Sequence, residues 1–447
     1  MLNYILKNKI VFLGLVVLIL VAGSAALIIF GRNVTPPAVK MTFWGTYEDA
    51  DVFKPLIKKY QEQFPYNQIK YVEIDYKDYE DRLQEEMLQN RGPSIFMIHN
   101  SWLPRYQKRS LLKPMPEKTT PDEEFALRDF QNRFVDVVVD DFVEQGQILA
   151  MPLYVDTLAL YYNKDILNSA GIANPPSTWQ DFLETVIQLT QKTEDEEIIR
   201  AGVALGTADN VNQSADILSL LMMQSGAEMV DRQEQKAVFN EMADLDGDGK
   251  NEFSPGQQAL LFYTSFADPD SSNYTWNDWI DTPYSIDAFY QGKAAMIFDY
   301  AYNMETIRKK SPYLNFDIAP MPQHKDAQVK VDYADYWGLA VSSKSMVPDR
   351  AWHFINWLTK PENIKDYLAL KENRPTACRD LIEQQKQDLD LGVFAQQSLT
   401  ARSWYQVDNF AIEEIMDNMI KSVVLEGKAI SSAINEGVEQ ITYLMRK

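Results

Sequence analysis

Trp44, Trp102, Tyr154, Tyr300, Tyr302, Tyr336 and Trp337 share one place in the pattern: each falls at the end of an expected strand or just beyond it. A flat ring offers an apolar face to the axial C–H patch of a sugar, while indole N–H and phenol O–H can still hydrogen-bond. Glu48, Asn100, Asp156, Asp299 and Arg374 stand in similar places. Their carboxylates, amide and guanidinium can fork across neighbouring hydroxyls, and the ionised ones bond more strongly than a neutral acceptor. Plain packing is the alternative. With 9 Trp and 23 Tyr many rings must simply fill a core, and a loop-end acid equally caps a helix or pairs with a base. What these groups could do is hold a polyol. No Gly-x-Ser-x-Gly elbow, phosphate-cradling glycine loop or Cys–His arrangement stands in the sequence, so it carries no catalytic signature.

A second cluster suits a cation. Asp244, Asp246 and Asp248 occupy positions one, three and five of a calcium-loop pattern, with Gly249 for the turn and the carbonyl of Lys250 at position seven. Position twelve is Pro255 rather than the expected bidentate Glu, so Glu252 or a distant acid would complete the shell. A solvated acidic turn is the other reading, and either way the loop is a local staple. His99, His324 and His353 are scattered, and no cofactor is required. The single cysteine, Cys378, excludes an intramolecular disulfide and reads as a small buried filler.

These groups need elements to hold them. Val39–Trp44, Ile69–Ile74 and Ser94–Ile98 read as strands, alternating with amphipathic helices over Asp51–Phe64 and Asp78–Asn90, the latter stopped by Gly92-Pro93. This alternation indicates a mostly parallel α/β sheet covered on both faces, with ligands beyond the carboxyl ends of its strands. That rule points at Trp44–Glu48 and His99–Trp102. The stretch Ile148–Leu167 sets Tyr154 and Asp156 in an irregular segment between two buried strands. Thr178 reads as a helix N-cap with Asp181 three residues on. Ala201–Leu205, Ala294–Phe298, Asn315–Pro320 and Tyr336–Ser342 read as further strands. Beyond Pro348 the pattern is almost wholly helical, broken at Asn373-Arg374-Pro375.

A chain of 447 residues exceeds what one core usually serves, so two domains are expected. Met1–Asn33 holds three basic residues and no acid, leaving 40 basic against 64 acidic side chains in the rest, a formal charge of −24. Such a field repels nucleic acid and anionic headgroups. Ile10–Phe30 is an apolar run long enough to cross a bilayer, and Lys7 and Lys9 before it place the N-terminus in the cytoplasm. A cleaved signal peptide is the rival reading, but the run continues past the small residues Ala22–Ala26. An uncleaved signal anchor over residues 1–34, with the bulk of the chain extracytoplasmic at the cell membrane, is therefore expected.

Four motifs occur in a telling order: Trp44-Gly45, the stretch around Tyr154, Pro175-Pro176-Ser177-Thr178-Trp179, and the run from Gly292 to Asn303 that passes through Asp299. In that order and spacing the chain resembles extracellular solute-binding proteins of ABC importers, the sugar-binding type that includes maltose-binding protein. The resemblance implies a two-lobed, periplasmic-binding-protein-like clamp of type II. Residues 38–153 plus 320–372 would form one lobe and 156–317 plus 376–447 the other, with hinge margins near Pro320–Pro322 and Arg374-Pro375. It implies a monomer that captures a small carbohydrate between its lobes and delivers it to permease subunits. Ligand contacts are then expected at Trp44, Glu48, Asn100, Trp102, Tyr154, Asp156, Asp299, Tyr302, Tyr336, Trp337 and Arg374. Asn100-Ser101 replaces the charged pair that relatives often carry there. Two rivals stand beside this: a glycan-acting enzyme with Asp156 and Asp299 as acid and base, and a membrane-anchored sensor with no transport role.

Overall fold

The computed structural model describes residues 38–120, 123–243, 254–279, 282–371 and 374–447. The apolar run Ile10–Phe30 and the loop Asp244–Glu252, including Asp244, Asp246, Asp248 and Lys250, lie outside the described residues. Among those described, no helix is long and apolar enough to cross a membrane, and no group of three or more His, Cys, Asp or Glu could hold a metal ion.

The chain opens with β1 (Val39–Gly45), α1 (Ala50–Gln63), β2 (Asn67–Glu73), α2 (Tyr76–Leu88) and β3 (Ile95–His99). In α1, Val52, Phe53, Leu56, Ile57 and Tyr60 recur on one face and all five are buried. Tyr79, Leu83 and Met87, four residues apart, do the same for α2, whose first turn is capped by Asp75 accepting from Lys77 N. Helix α2 ends where Asn90 turns left-handed at φ 58°, just before Gly92-Pro93.

Next come β4 (Ala150–Pro152), β5 (Asp156–Thr157), β6 (Ala159–Asn163), α3 (Trp179–Leu189) and α4 (Ser214–Gln224). Thr178 caps α3, its hydroxyl accepting from Asp181 N at 3.1 Å. They are followed by β7 (Met296–Asp299), β8 (Phe316–Ala319), β9 (Asp332–Asp335), β10 (Trp337–Val341), α5 (Pro348–Leu358) and α6 (Pro361–Leu370). The last elements used below are β11 (Ala401–Arg402), α7 (Asn409–Val424) and α8 (Ile430–Arg446).

The first sheet runs β2-β1-β3-β10-β4, parallel from β2 to β3, with β10 antiparallel to both its neighbours. The second, β7-β6-β8, pairs antiparallel throughout, which departs from the mostly parallel sheet expected. Burial explains the difference: Ala159, Leu160 and Tyr161 are covered on both faces, so the run reads like a parallel strand although its direction is opposite. Ala201–Leu205 also departs from expectation. It is buried but bridges only at Ala201: Ala295 O, the next acceptor a ladder would use, accepts from Asn163 N at 2.9 Å, and Ala204 N turns to Met296 O at 3.2 Å, out of step with the bridge.

Buried apolar side chains form two separate cores, one around Phe43, Phe96, Leu339 and Trp352, the other around Tyr161, Phe182, Leu218 and Ile441. The chain changes core between Val155 and Leu158, between Tyr333 and Ala334, and between Ile382 and Leu391, with a brief return to the first core at Ala401. A small sheet, β11-β9-β5, sits at these crossings. The expected margins fall earlier in the chain: Met321 packs in the second core, and Ala377 and Cys378 still pack in the first. Proline marks stiff backbone, not where a chain changes core.

Candidate ligand-binding cleft

Between the two cores opens a cavity of about 450 Å³, within the usual range for small-molecule sites. The first core supplies Trp102 and Trp337, held by the loop after β3 and the start of β10. Their rings meet edge to face at 4.9 Å. Tyr154, in the irregular segment between β4 and β5, carries the Arg374 guanidinium over its ring at 4.6 Å. From the second core comes Tyr302, whose hydroxyl accepts from Gln213 Nε2 at 2.7 Å. Asp216 on α4, Trp404, and Phe410 and Glu413 on α7 complete that side.

Six of the eleven expected contacts therefore line one cavity: Asn100, Trp102, Tyr154, Tyr302, Trp337 and Arg374. The other five stand behind its wall. Trp44 is buried under the Arg82 guanidinium, 5.1 Å from its ring. Tyr336 is fully buried and donates to Asp141 Oδ2 at 2.7 Å. Asp156 is fully buried in the crossing strand β5 and accepts from Thr157 N (2.8 Å), Ala301 N (3.1 Å) and Tyr302 N (3.3 Å). It thus fixes the backbone that carries Tyr302. Asp299 accepts from Tyr300 N and Asn303 Nδ2 on Oδ1, at 2.8 and 2.7 Å.

Glu48, the fifth, is the anchor of the basic corner. It accepts from Tyr367 Oη at 2.9 Å and pairs with Lys371 Nζ at 3.1 Å and Arg374 Nη2 at 3.5 Å. Nε and Nη1 of Arg374 have no hydrogen-bond partner among the described residues, a costly state for a guanidinium only 7% exposed.

Electrostatically the cleft is divided. Lys371 and Arg374 share one carboxylate at the Tyr154 end. Asp216, Asp335 and Glu413 also line the cleft, Asp216 and Glu413 both in the field of Asp335 and of His99. His99 Nε2 lies 2.5 Å from Asp335 Oδ1, and its Nδ1 is 2.7 Å from Ser101 Oγ. Burial works against a charged imidazole there, but the surrounding carboxylates, Asp335 first and then Asp216 and Asp141, together outweigh it and the His99 pKa rises. Burial, then the field of Asp335, pushes Asp216 up to about 7; the Tyr300 hydroxyl donates to it at 2.7 Å. Burial also pushes Asp156 up to about 8 and Asp299 up to about 6.

The strand-end rule reaches Tyr47 and His99 as segment members, without singling them out. Tyr76, Asp216, Asp335, Trp404, Gln406, Phe410 and Glu413 carry no signal of their own. They come from helices and connections whose apolar pattern speaks only of packing, and, for Asp335, from the end of β9, a strand the sequence pattern does not mark.

Two α/β bodies joined by three crossings, with a ring-lined opening between them, define a clamp-type binding protein. The chain belongs to the family of bacterial extracellular solute-binding proteins, whose pattern matches residues 44–365. It is similar to the maltotriose-binding protein of Pyrococcus abyssi, 21% identical over 342 residues, covering 74% of this chain and 65% of that protein. The chain thus spans just under two thirds of that relative's length. In fold it is similar to the sugar-binding protein MalE from Xanthomonas citri (TM-score 0.74, 18% identity, 91% and 98% of the two chains). The GacH receptor of Streptomyces glaucescens is comparable (TM-score 0.70, 18% identity, 92% and 99%). These relatives are binding proteins rather than enzymes.

Proposed function

We propose that this chain captures a carbohydrate between its lobes and delivers it to the permease of an ABC importer. The carrying observation is one cavity in which Trp102, Trp337 and Tyr154 face Tyr302 across the two cores, among amide, carboxylate and guanidinium groups. Rings that stack on C–H faces, beside groups that fork across hydroxyls, suit a polyol better than a lipid or an amino acid. The sugar-binding names of its relatives support the same reading. The lobes are read as 38–155 with 334–382, and 158–333 with 391–447, the segment at Ala401 touching back on the first core. The ligand first meets one wall, and contacts made only on closure shift the open–closed balance. Moving that balance from mostly open to mostly closed takes about 5.5 kcal/mol of differential affinity.

Ile10–Phe30 is read as the tether that keeps the acidic body at the outer face of the cell membrane, close to its permease. The positions of Asp156 and Asp299 behind the cavity wall favour capture without turnover over a glycan-acting enzyme. A thermal-shift screen of the purified full chain against mono- and oligosaccharides, polyols and amino acids tests the proposal. A saturating sugar raises the melting temperature, because it binds only the folded state. If an amino acid stabilises the chain and no sugar does, the carbohydrate reading is wrong.

A further inference from the structure

Tyr47 holds a backbone conformation that its residue type resists. Its φ is +59°, in the left-handed region where a Cβ crowds the chain and glycine or asparagine is at ease. Its neighbours keep it there. Gly45 O accepts from Ile74 N at 2.9 Å, Thr46 is fully buried, and Glu48 is locked by Tyr367, Lys371 and Arg374. Of this turn only the Tyr47 side chain points outward, 52% exposed, into the mouth of the cleft. Strained residues persist where the surroundings over-determine them, and they cluster at ligand sites.

The rings around Tyr47 form a series from depth to mouth. Trp102 is 2% exposed and Trp337 5%; Tyr76 and Tyr47 rise to 38% and 52%. Trp337 lies 4.9 Å from Trp102 and 5.7 Å from Tyr47, edge to face in both cases. Tyr47 and Tyr76 stack on each other at 4.5 Å. A single sugar unit seated between Trp337 and Tyr302 would leave this outer pair without a role.

We propose that Tyr47, stacked on Tyr76, is the outer platform of the cleft, and that it selects a ligand of two or more sugar units whose outer unit lies against it. This rests on the carbohydrate reading and adds chain length to it. Aromatic contacts of this kind carry about a tenfold change in affinity each.

The test is calorimetric titration of the full chain with mono-, di- and trisaccharides of one sugar series, chosen by the thermal-shift screen, alongside Tyr47→Asn and Tyr47→Phe. The wild type should bind the longer members more tightly. Tyr47→Asn should weaken them about tenfold while leaving the monosaccharide unchanged, and Tyr47→Phe should keep the ring and the affinity. Without ligand, Tyr47→Asn should melt at the same temperature or a degree or two higher, since asparagine accepts this φ more readily. Equal affinity across the series in the wild type would overturn the length selection while leaving sugar capture intact. So would a Tyr47→Asn variant that melts well below the wild type, because the ring would then be structural. Failure of every sugar to bind the wild type would overturn the carbohydrate reading itself.

Discussion

Replacing Glu48 by glutamine removes one charge and almost no volume, so it isolates what the basic corner depends on. The carboxylate is fully buried, and Arg374 beside it is 8% exposed at its side chain; Lys371, at 23%, can turn toward water. Arg374 cannot shed its charge, and Nε and Nη1 already lack partners among the described residues. Breaking a buried ion pair from one side typically costs about 3–5 kcal/mol. The glutamine carbonyl still accepts from Tyr367, and Lys371 can rehydrate, so the lower end, about 3 kcal/mol, is expected. Arg374→Met should cost about 1 kcal/mol, since Glu48 keeps Lys371 at 3.1 Å and two unmet donors disappear. The double variant should then be less damaging than Glu48→Gln alone, a coupling of at least about 1 kcal/mol. Urea unfolding of the four proteins, compared at a common slope, reads this directly. A Glu48→Gln protein as stable as the wild type, or a double variant at the sum of the singles, would refute the assignment of Glu48 as an internal anchor.

Acid pH should stabilise the folded chain. Burial raises Asp156 to about 8, Asp216 to about 7, and Asp299 and Asp332 to about 6, against about 3.9 for an unfolded aspartate. The folded state therefore holds protons that the unfolded state has lost, and stability rises as pH falls from 8 toward 4. For Asp156 the slope is about 1.4 kcal/mol per pH unit below its folded pKa. Asp156→Asn should flatten the melting-temperature profile between pH 8 and 6, which separates this proton from the general relief of charge repulsion. A wild-type melting temperature that falls over that interval contradicts the assignment. Tyr302→Phe removes the hydroxyl facing Gln213 and should weaken sugar binding about three- to tenfold, with little change in melting temperature. An unchanged dissociation constant by calorimetry would remove Tyr302 from the contact set.

Much of the first lobe is readable because its strands and helices alternate at periods that differ plainly, about 2 against 3.6. The residues after β1 and β3 can be found because a parallel sheet presents loops at its carboxyl ends. That rule names segments, not side chains. It points at Trp44, which the Arg82 guanidinium covers, as readily as at Tyr47, which turns outward. Glu48, Asp156 and Asp299 read as contacts because charge at a strand end signals only that the group needs partners. In the fold those partners are Tyr367, Lys371 and Arg374 for Glu48, and backbone N–H groups for the two aspartates, with the Asn303 amide added for Asp299. Asp216 and Phe410 sit on helices whose buried apolar residues pack in the second core, and nothing local distinguishes a cleft-facing position from a solvent-facing one. The antiparallel direction of β6 is hidden for a related reason: burial on both faces erases the alternation that marks a half-exposed strand.

The central claim is that two lobes close on a sugar, and X-ray scattering by the full chain measures it most directly. Saturation with a sugar whose binding has been shown by calorimetry should reduce the radius of gyration, since ligand contacts from both cores are completed only when the lobes approach. An unchanged radius of gyration at proven saturation would contradict closure.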